Sequence, residues 1–143
     1  MRKIFQLMLT MQFLILSLAF AIFPSHADAQ NNAASVYRDT LNIGFAMYTK
    51  GTAPGSLNAI WNYANVWSGK GTATGVSKEG FAGNYHIKYY YENGVFSDEY
   101  ELVIEKTGKF YNLSWIVDGK VLARGVGMEV DNYLSAGWRR VTD

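Results

Sequence analysis

The chain has 143 residues, with 13 Lys and Arg against 12 Asp and Glu, for a formal net charge of +1. That balance lacks the basic footprint that nucleic acid or an anionic membrane surface requires. Without cysteine there are no disulfides, and with only His26 and His86 a zinc centre is not expected.

Arg2 and Lys3 precede an apolar run from Ile4 to Phe23, which Pro24 and Ser25 end. Ala27-Asp28-Ala29 then places small residues three and one positions before a cut. This is the pattern of a secretory signal peptide, so residues 1–29 read as a leader cleaved after Ala29. The run approaches the length of a membrane span, but Gln6, Gln12 and the cleavage pattern favour the leader. After cleavage no integral membrane span is expected, and the protein is placed in a bacterial periplasm or secreted. Arg2, Lys3, His26 and Asp28 leave with the leader, so 11 basic side chains face 11 acidic ones and His86 is the remaining histidine. An exported domain without disulfides must be held by its own core, which a chain of about 114 residues can build.

Residues 30–40 are small and polar and read as a flexible tail. Residues 41–143 read as one domain. Leu41, Ile43, Phe45 and Met47 alternate with Asn42, Gly44, Ala46 and Tyr48, which is the period of a strand. Whether this strand joins the domain's sheet or wraps outside it is left open by the pattern. A turn-rich stretch over residues 50–56 follows. Seven strand-like runs come next, at 57–63, 69–76, 81–91, 98–106, 110–117, 120–130 and 133–141. Asn93-Gly94 and Asp118-Gly119 are two-residue hairpin signals, because both positions of the favoured turn take positive φ. The breaks are too short for crossover helices, so neighbours should be antiparallel. The expected fold is all-β: an up-and-down meander of about eight strands. A closed or nearly closed barrel covers the apolar face and the edges that an open sheet would expose.

Gly125-Val126-Gly127 sits inside a strand pattern with another strand after it. A phosphate loop needs a helix there, so these glycines read as barrel architecture that permits sharp coiling. Gly69, Gly71, Gly75, Gly80 and Gly83 read the same way. A two-residue turn at Asp118-Gly119 would set Val117, Trp115, Leu113 and Tyr111 opposite Lys120, Leu122, Arg124 and Val126. This bulky face is assigned to the interior, at the cost of an inward Arg124. The other face pairs Ile116, Ser114, Asn112 and Phe110 with Val121, Ala123, Gly125 and Gly127, and would leave room for a ligand. A one-residue shift exchanges the two.

Beyond the leader lie four Trp, ten Tyr and four Phe. Phe81, Tyr85, Ile87, Tyr89 and Tyr91 share one face of a long strand. These aromatics read either as a filled core or as the wall of a cavity. Trp61, Tyr85, Trp115 and Trp138 are the candidate ligand-binding residues. Tyr90 points away from its neighbours and is the candidate for partner contact. His86 lies mid-strand with Glu99, Glu101 and Glu105 on a neighbouring run. A solvent-facing role suits these residues better than acid–base chemistry, although a hydrolase using His86 and a carboxylate is the weakest alternative. No catalytic residues, metal or cofactor are expected.

An early-strand Trp61 together with Arg139 or Arg140 after the last Trp resembles the calycin arrangement. In lipocalins, fatty-acid-binding proteins and avidin-like proteins a Trp packs near a late basic residue and closes one barrel end. The stretch "IWNY…FAGNY" is similar to the opening strands of avidin-like proteins. "GVGMEVDNYLSAGW" resembles small exported bacterial barrels of unassigned activity. The lipocalin Gly-x-Trp is absent, since Gly55 lies six residues before Trp61. The resemblance implies a barrel and a structural role for Trp61 with Arg139 or Arg140; it implies no ligand set. Two functions follow as expectations. One is a non-enzymatic barrel that binds a small, mostly apolar ligand. The other is an interaction module with a filled core that contacts an exported or host protein.

Overall fold

The computed structural model describes residues 41–142; the expected leader and the tail over 30–40 lie outside them. Eight strands follow one another: β1 (Gly44–Lys50), β2 (Ser56–Tyr63), β3 (Trp67–Glu79), β4 (Ala82–Tyr91), β5 (Phe96–Thr107), β6 (Phe110–Val117), β7 (Lys120–Val130) and β8 (Tyr133–Arg140). Each pairs antiparallel with its neighbours, and β1 pairs with β8 to close the barrel. The first strand is therefore a member of the sheet, seated between β2 and β8. Its alternation is as the sequence implies, but the bulkier set faces solvent: Ile43 and Phe45 are 65% and 46% exposed. The inner positions go to Gly44, Ala46 and Tyr48, because the Trp138 ring occupies the space that a side chain at residue 44 would need.

Bulk is distributed unevenly round the interior. Strands β4, β5 and β6 contribute Tyr85, Ile87, Tyr89, Leu102, Ile104, Tyr111, Leu113 and Trp115, all buried. Facing them, β1, β2, β3, β7 and β8 turn in small residues such as Ala46, Ala59, Gly71, Ala73, Ala123, Gly127 and Ala136. An eight-stranded barrel has room for little more than its own side chains or one small ligand. The small wall is what lets large rings cross it. A methyl on Gly71 would stand 2.7 Å from the Tyr89 ring, and one on Gly125 would stand 3.1 Å from the Trp115 ring. Glycine inside a strand costs roughly 0.5–1 kcal/mol relative to alanine. Burying one large side chain returns about 1.5–3 kcal/mol, so the exchange favours the glycines.

Two hairpins differ in an instructive way. Asp118-Gly119 forms the two-residue turn, with both residues at positive φ and Val117 opposite Lys120. The expected pairing then fails. Ile116 pairs with Val121, but Trp115 pairs with Ala123, so Leu122 is an extra residue in β7. This bulge places Trp115, Leu113 and Tyr111 opposite Ala123, Gly125 and Gly127. The interior therefore takes the bulky residues of one expected face and the small residues of the other. Arg124 points outward opposite Ser114 and Arg139, so the expected cost of an inward Arg124 does not arise. Asn93-Gly94 lies in a four-residue connection, with only Gly94 at positive φ and Tyr91 N–H bonded to the Val95 carbonyl at 2.9 Å. Here too a bulge follows: Tyr89 pairs with Asp98 and Tyr90 with Phe96, leaving Ser97 extra.

Candidate functional site

The two ends of the barrel differ. At the end formed by the β1–β2, β3–β4, β5–β6 and β7–β8 connections, Phe81, Tyr85 and Tyr111 pack to 0–1% exposure and fill the bore. Phe81 meets Tyr111 edge-on at 6.5 Å, and the Lys50 ammonium lies 5.4 Å from the Phe81 ring centre. Tyr111 donates a 2.5 Å hydrogen bond to Glu129. A recess of about 200 Å³ beside the β1–β2 loop, lined by that loop with Leu57, Ser77, Gly80 and Tyr85, lies over the filled end and has no belt of rings.

The opposite end is open. A cavity of about 110 Å³ enters there and runs down to Ala46, Tyr89 and Trp115. Its wall is an almost continuous belt of rings. Trp67 packs on Tyr91 at 5.7 Å, Tyr91 on Trp61 at 5.8 Å, Trp61 on Tyr89 at 6.1 Å, and Tyr89 on Tyr100 at 6.2 Å. On the other side Tyr63 stacks on Trp138 at 5.0 Å and 15°, and Trp138 leans on Trp115 at 5.8 Å. The two arcs join at the floor through one hydrogen bond, Trp115 Nε1–H to the Tyr89 hydroxyl at 2.8 Å. The Tyr89 hydroxyl is also 2.9 Å from that of Tyr48, which is fully buried. Burial pushes the Tyr48 and Tyr89 phenols well above the ordinary tyrosine range. They stay neutral hydrogen-bonding groups at any ordinary pH.

Polar groups gather at the rim. Ser97, Asp98 and Arg140 line the mouth beside Leu122. Ser97 and Leu122 are both bulge residues, so the irregularities of β5 and β7 open onto the same rim, while a third, at Lys78 of β3, lies toward the filled end. Bulges recur at barrel rims for this reason: the extra residue splays the wall and re-aims its neighbours. The Arg140 guanidinium lies 5.0 Å from the Tyr63 ring centre, a geometry that holds the cation over a π face. Tyr100, half-buried near Asp98, has its pKa raised first by burial and then by that carboxylate.

Of the residues named from sequence, Trp61, Trp115 and Trp138 line this cavity. Tyr85 does not. It sits in the filled end, 1% exposed, with its hydroxyl donating to the Phe81 carbonyl at 3.1 Å. Its strand parity was legible, but its depth along the barrel axis was not. The expected Trp61–arginine closure takes another form: Arg140 covers Tyr63, while the Trp61 N–H faces the Lys70 and Tyr90 carbonyls at 3.2 and 3.3 Å. Arg139 pairs across the sheet with Arg124 on the outer wall. Trp67, read as part of a turn, is the first residue of β3 and belongs to the wall; extending the inward parity of Gly69 and Gly71 by one step would have found it. Tyr90 is half-buried on the outer wall, edge-on to Phe96 at 5.9 Å.

His86 lies far from the cavity in kind: it is on the outer face of β4. Its ring nitrogens lie 3.1 Å from Glu101 and 3.2 Å from Glu99, and Lys88 reaches Glu99 at 3.5 Å. The Glu101 hydrogen bond is the chief cause that raises the His86 pKa from its ordinary value. The cluster is a solvated charge network on the outer face of the sheet. Comparison of the chain with protein-family models, with curated proteins and with solved structures finds no match.

Proposed function

We propose that this chain is an exported, non-enzymatic, calycin-like barrel that acts in a periplasm or outside the cell by binding a small, mostly apolar ligand. The observation that carries the reading is the contrast between the ends: one bore is filled, and the other holds an open cavity walled by eight aromatic rings. Concave, aromatic walls with a few convergent polar groups are the usual make-up of a small-molecule site. The leader pattern at the N-terminus supports export, and the early-strand Trp with the late-strand Arg supports the calycin likeness. Trp61, Trp115 and Trp138 form the wall, Tyr89 the floor, and Arg140 with Asp98 the rim. The test is intrinsic tryptophan fluorescence while a broad metabolite and lipid extract is titrated in. A saturable change that Trp115→Ala abolishes supports the reading; a flat response across the fractions counts against it.

A second reading, an interaction module, is favoured by the outer wall. Phe45, Ile60, Phe110, Val126, Met128, Val130 and Tyr133 are all exposed across β2, β1, β8, β7 and β6. On β8 these neighbours flank Ser135 and Gly137. A largely apolar wall, charged only where Arg124 and Arg139 pair at one end of β7 and β8, with a furrow of small residues between apolar ridges, suits a second copy that presents the same wall. A monomer at all working concentrations would remove that reading.

A further inference from the structure

The floor of the cavity has one proton too many. Three donors meet there: the Trp115 N–H and the hydroxyls of Tyr48 and Tyr89. The indole gives its proton to the Tyr89 oxygen, and a single bond joins the two hydroxyls, so one O–H has no acceptor among the described residues. Two arrangements are open. If Tyr89 donates to Tyr48, the leftover proton is on Tyr48, which has zero exposure and does not line the cavity. That strands a donor in apolar surroundings. If Tyr48 donates to Tyr89, the Tyr89 oxygen accepts two hydrogen bonds and keeps its own proton. Tyr89 does line the cavity, so that proton is free to meet whatever enters. The second arrangement leaves no buried donor without an outlet and is the favoured one.

Size and charge narrow the class further. The cavity encloses about 110 Å³, and an apolar cavity of about 150 Å³ is known to hold a benzene ring. The space suits one ring, with any tail directed past the rim. A charged oxygen has no cation at the floor to replace its water, because Arg140 stands at the mouth over Tyr63. Desolvating an ion there would outweigh one phenol hydrogen bond.

We infer that the ligand is a neutral single-ring compound bearing a carbonyl-type acceptor, which enters acceptor-first and takes its hydrogen bond from the Tyr89 hydroxyl. This rests on the ligand-binding reading above and adds the chemistry of the ligand to it. Acetophenone and α-methylstyrene are near-isosteric probes that differ in a C=O against a C=CH₂ group. The expected result has four parts. The wild-type protein binds both; Tyr89→Phe weakens acetophenone about tenfold; the same change leaves α-methylstyrene unaltered; and Tyr48→Phe keeps acetophenone binding. If both probes bind and Tyr89→Phe weakens neither selectively, or if only the hydrocarbon binds, the acceptor assignment is overturned while the cavity remains a binding site. If neither binds, the ligand-binding reading falls and this inference with it. Should Tyr89→Phe fail to fold, the infrared carbonyl stretch of acetophenone bound to wild type decides. A stretch lowered from its value in hexane supports the assignment, and an unshifted one overturns it.

Discussion

The Tyr89 hydroxyl holds both the Trp115 indole and Tyr48, and this unequal sharing has measurable consequences. Tyr48→Phe removes one neutral hydrogen bond and strands nothing, so it should cost about 1 kcal/mol. Tyr89→Phe leaves the Trp115 N–H and the Tyr48 O–H both unpaired in the interior. At about 1–3 kcal/mol for each stranded group it should cost roughly 2–6 kcal/mol. Urea unfolding of the two variants checks the order; equal costs would mean that the floor is not wired this way. On the outer wall His86 gives a pH signature. Its pKa in the folded chain is raised above the ordinary 6.5 by Glu101, then Glu99. The protonated form is therefore the one that stabilises the fold. That stabilisation is complete below pH 6.5 and disappears as the pH rises through the raised value. Both partners are exposed, so the effect is small and falls with salt. Melting curves from pH 5 to 9 should show a decline on the alkaline side that His86→Gln abolishes.

Strands reach this arrangement through their small residues and their irregularities. Gly71 and Gly137 lie on opposite sides of the wall and should respond in opposite ways. A methyl at residue 71 meets the Tyr89 ring at 2.7 Å and the Lys88 carbonyl at 3.2 Å, whereas one at residue 137 meets nothing. Gly71→Ala should destabilise by about 1–3 kcal/mol through overpacking, and it should blunt any ligand response because the ring it displaces is the floor. Gly137→Ala should be neutral or stabilise by up to about 1 kcal/mol. Thermal unfolding of both variants checks this, and a loss at both sites would contradict the account. The same strands show what the sequence carried. The number and order of strands, the closed meander and the Asp118-Gly119 turn were legible, because period-two alternation and turn chemistry are local. The β6–β7 register was not: Leu122 adds one residue to β7, and no local pattern announces a bulge, yet it inverts every side chain beyond it. The site was half legible for a related reason. Parity tells that Tyr85 and Trp115 both point inward, but only the stagger of the closed barrel sets one at the filled end and the other at the cavity.

Taken together, the barrel is a cup with a packed base. Phe81, Tyr85 and Tyr111 close the base, the aromatic belt lines the bowl, and the bulges at Ser97 and Leu122 open its lip. The small-residue wall formed by β1, β2, β3, β7 and β8 gives the large rings somewhere to point, and the cavity is the space they do not fill. Its outer wall is divided as well: charged residues cluster on β4 and β5 around His86, and apolar ones predominate on β1, β7 and β8 apart from Arg124 and Arg139. A cup of this size should carry one small molecule per chain. The most direct test is native mass spectrometry of the protein purified from its own host, which reports bound mass and subunit number together. The account predicts one fixed additional mass per chain that is lost on denaturation. A bare chain mass in every preparation would contradict it.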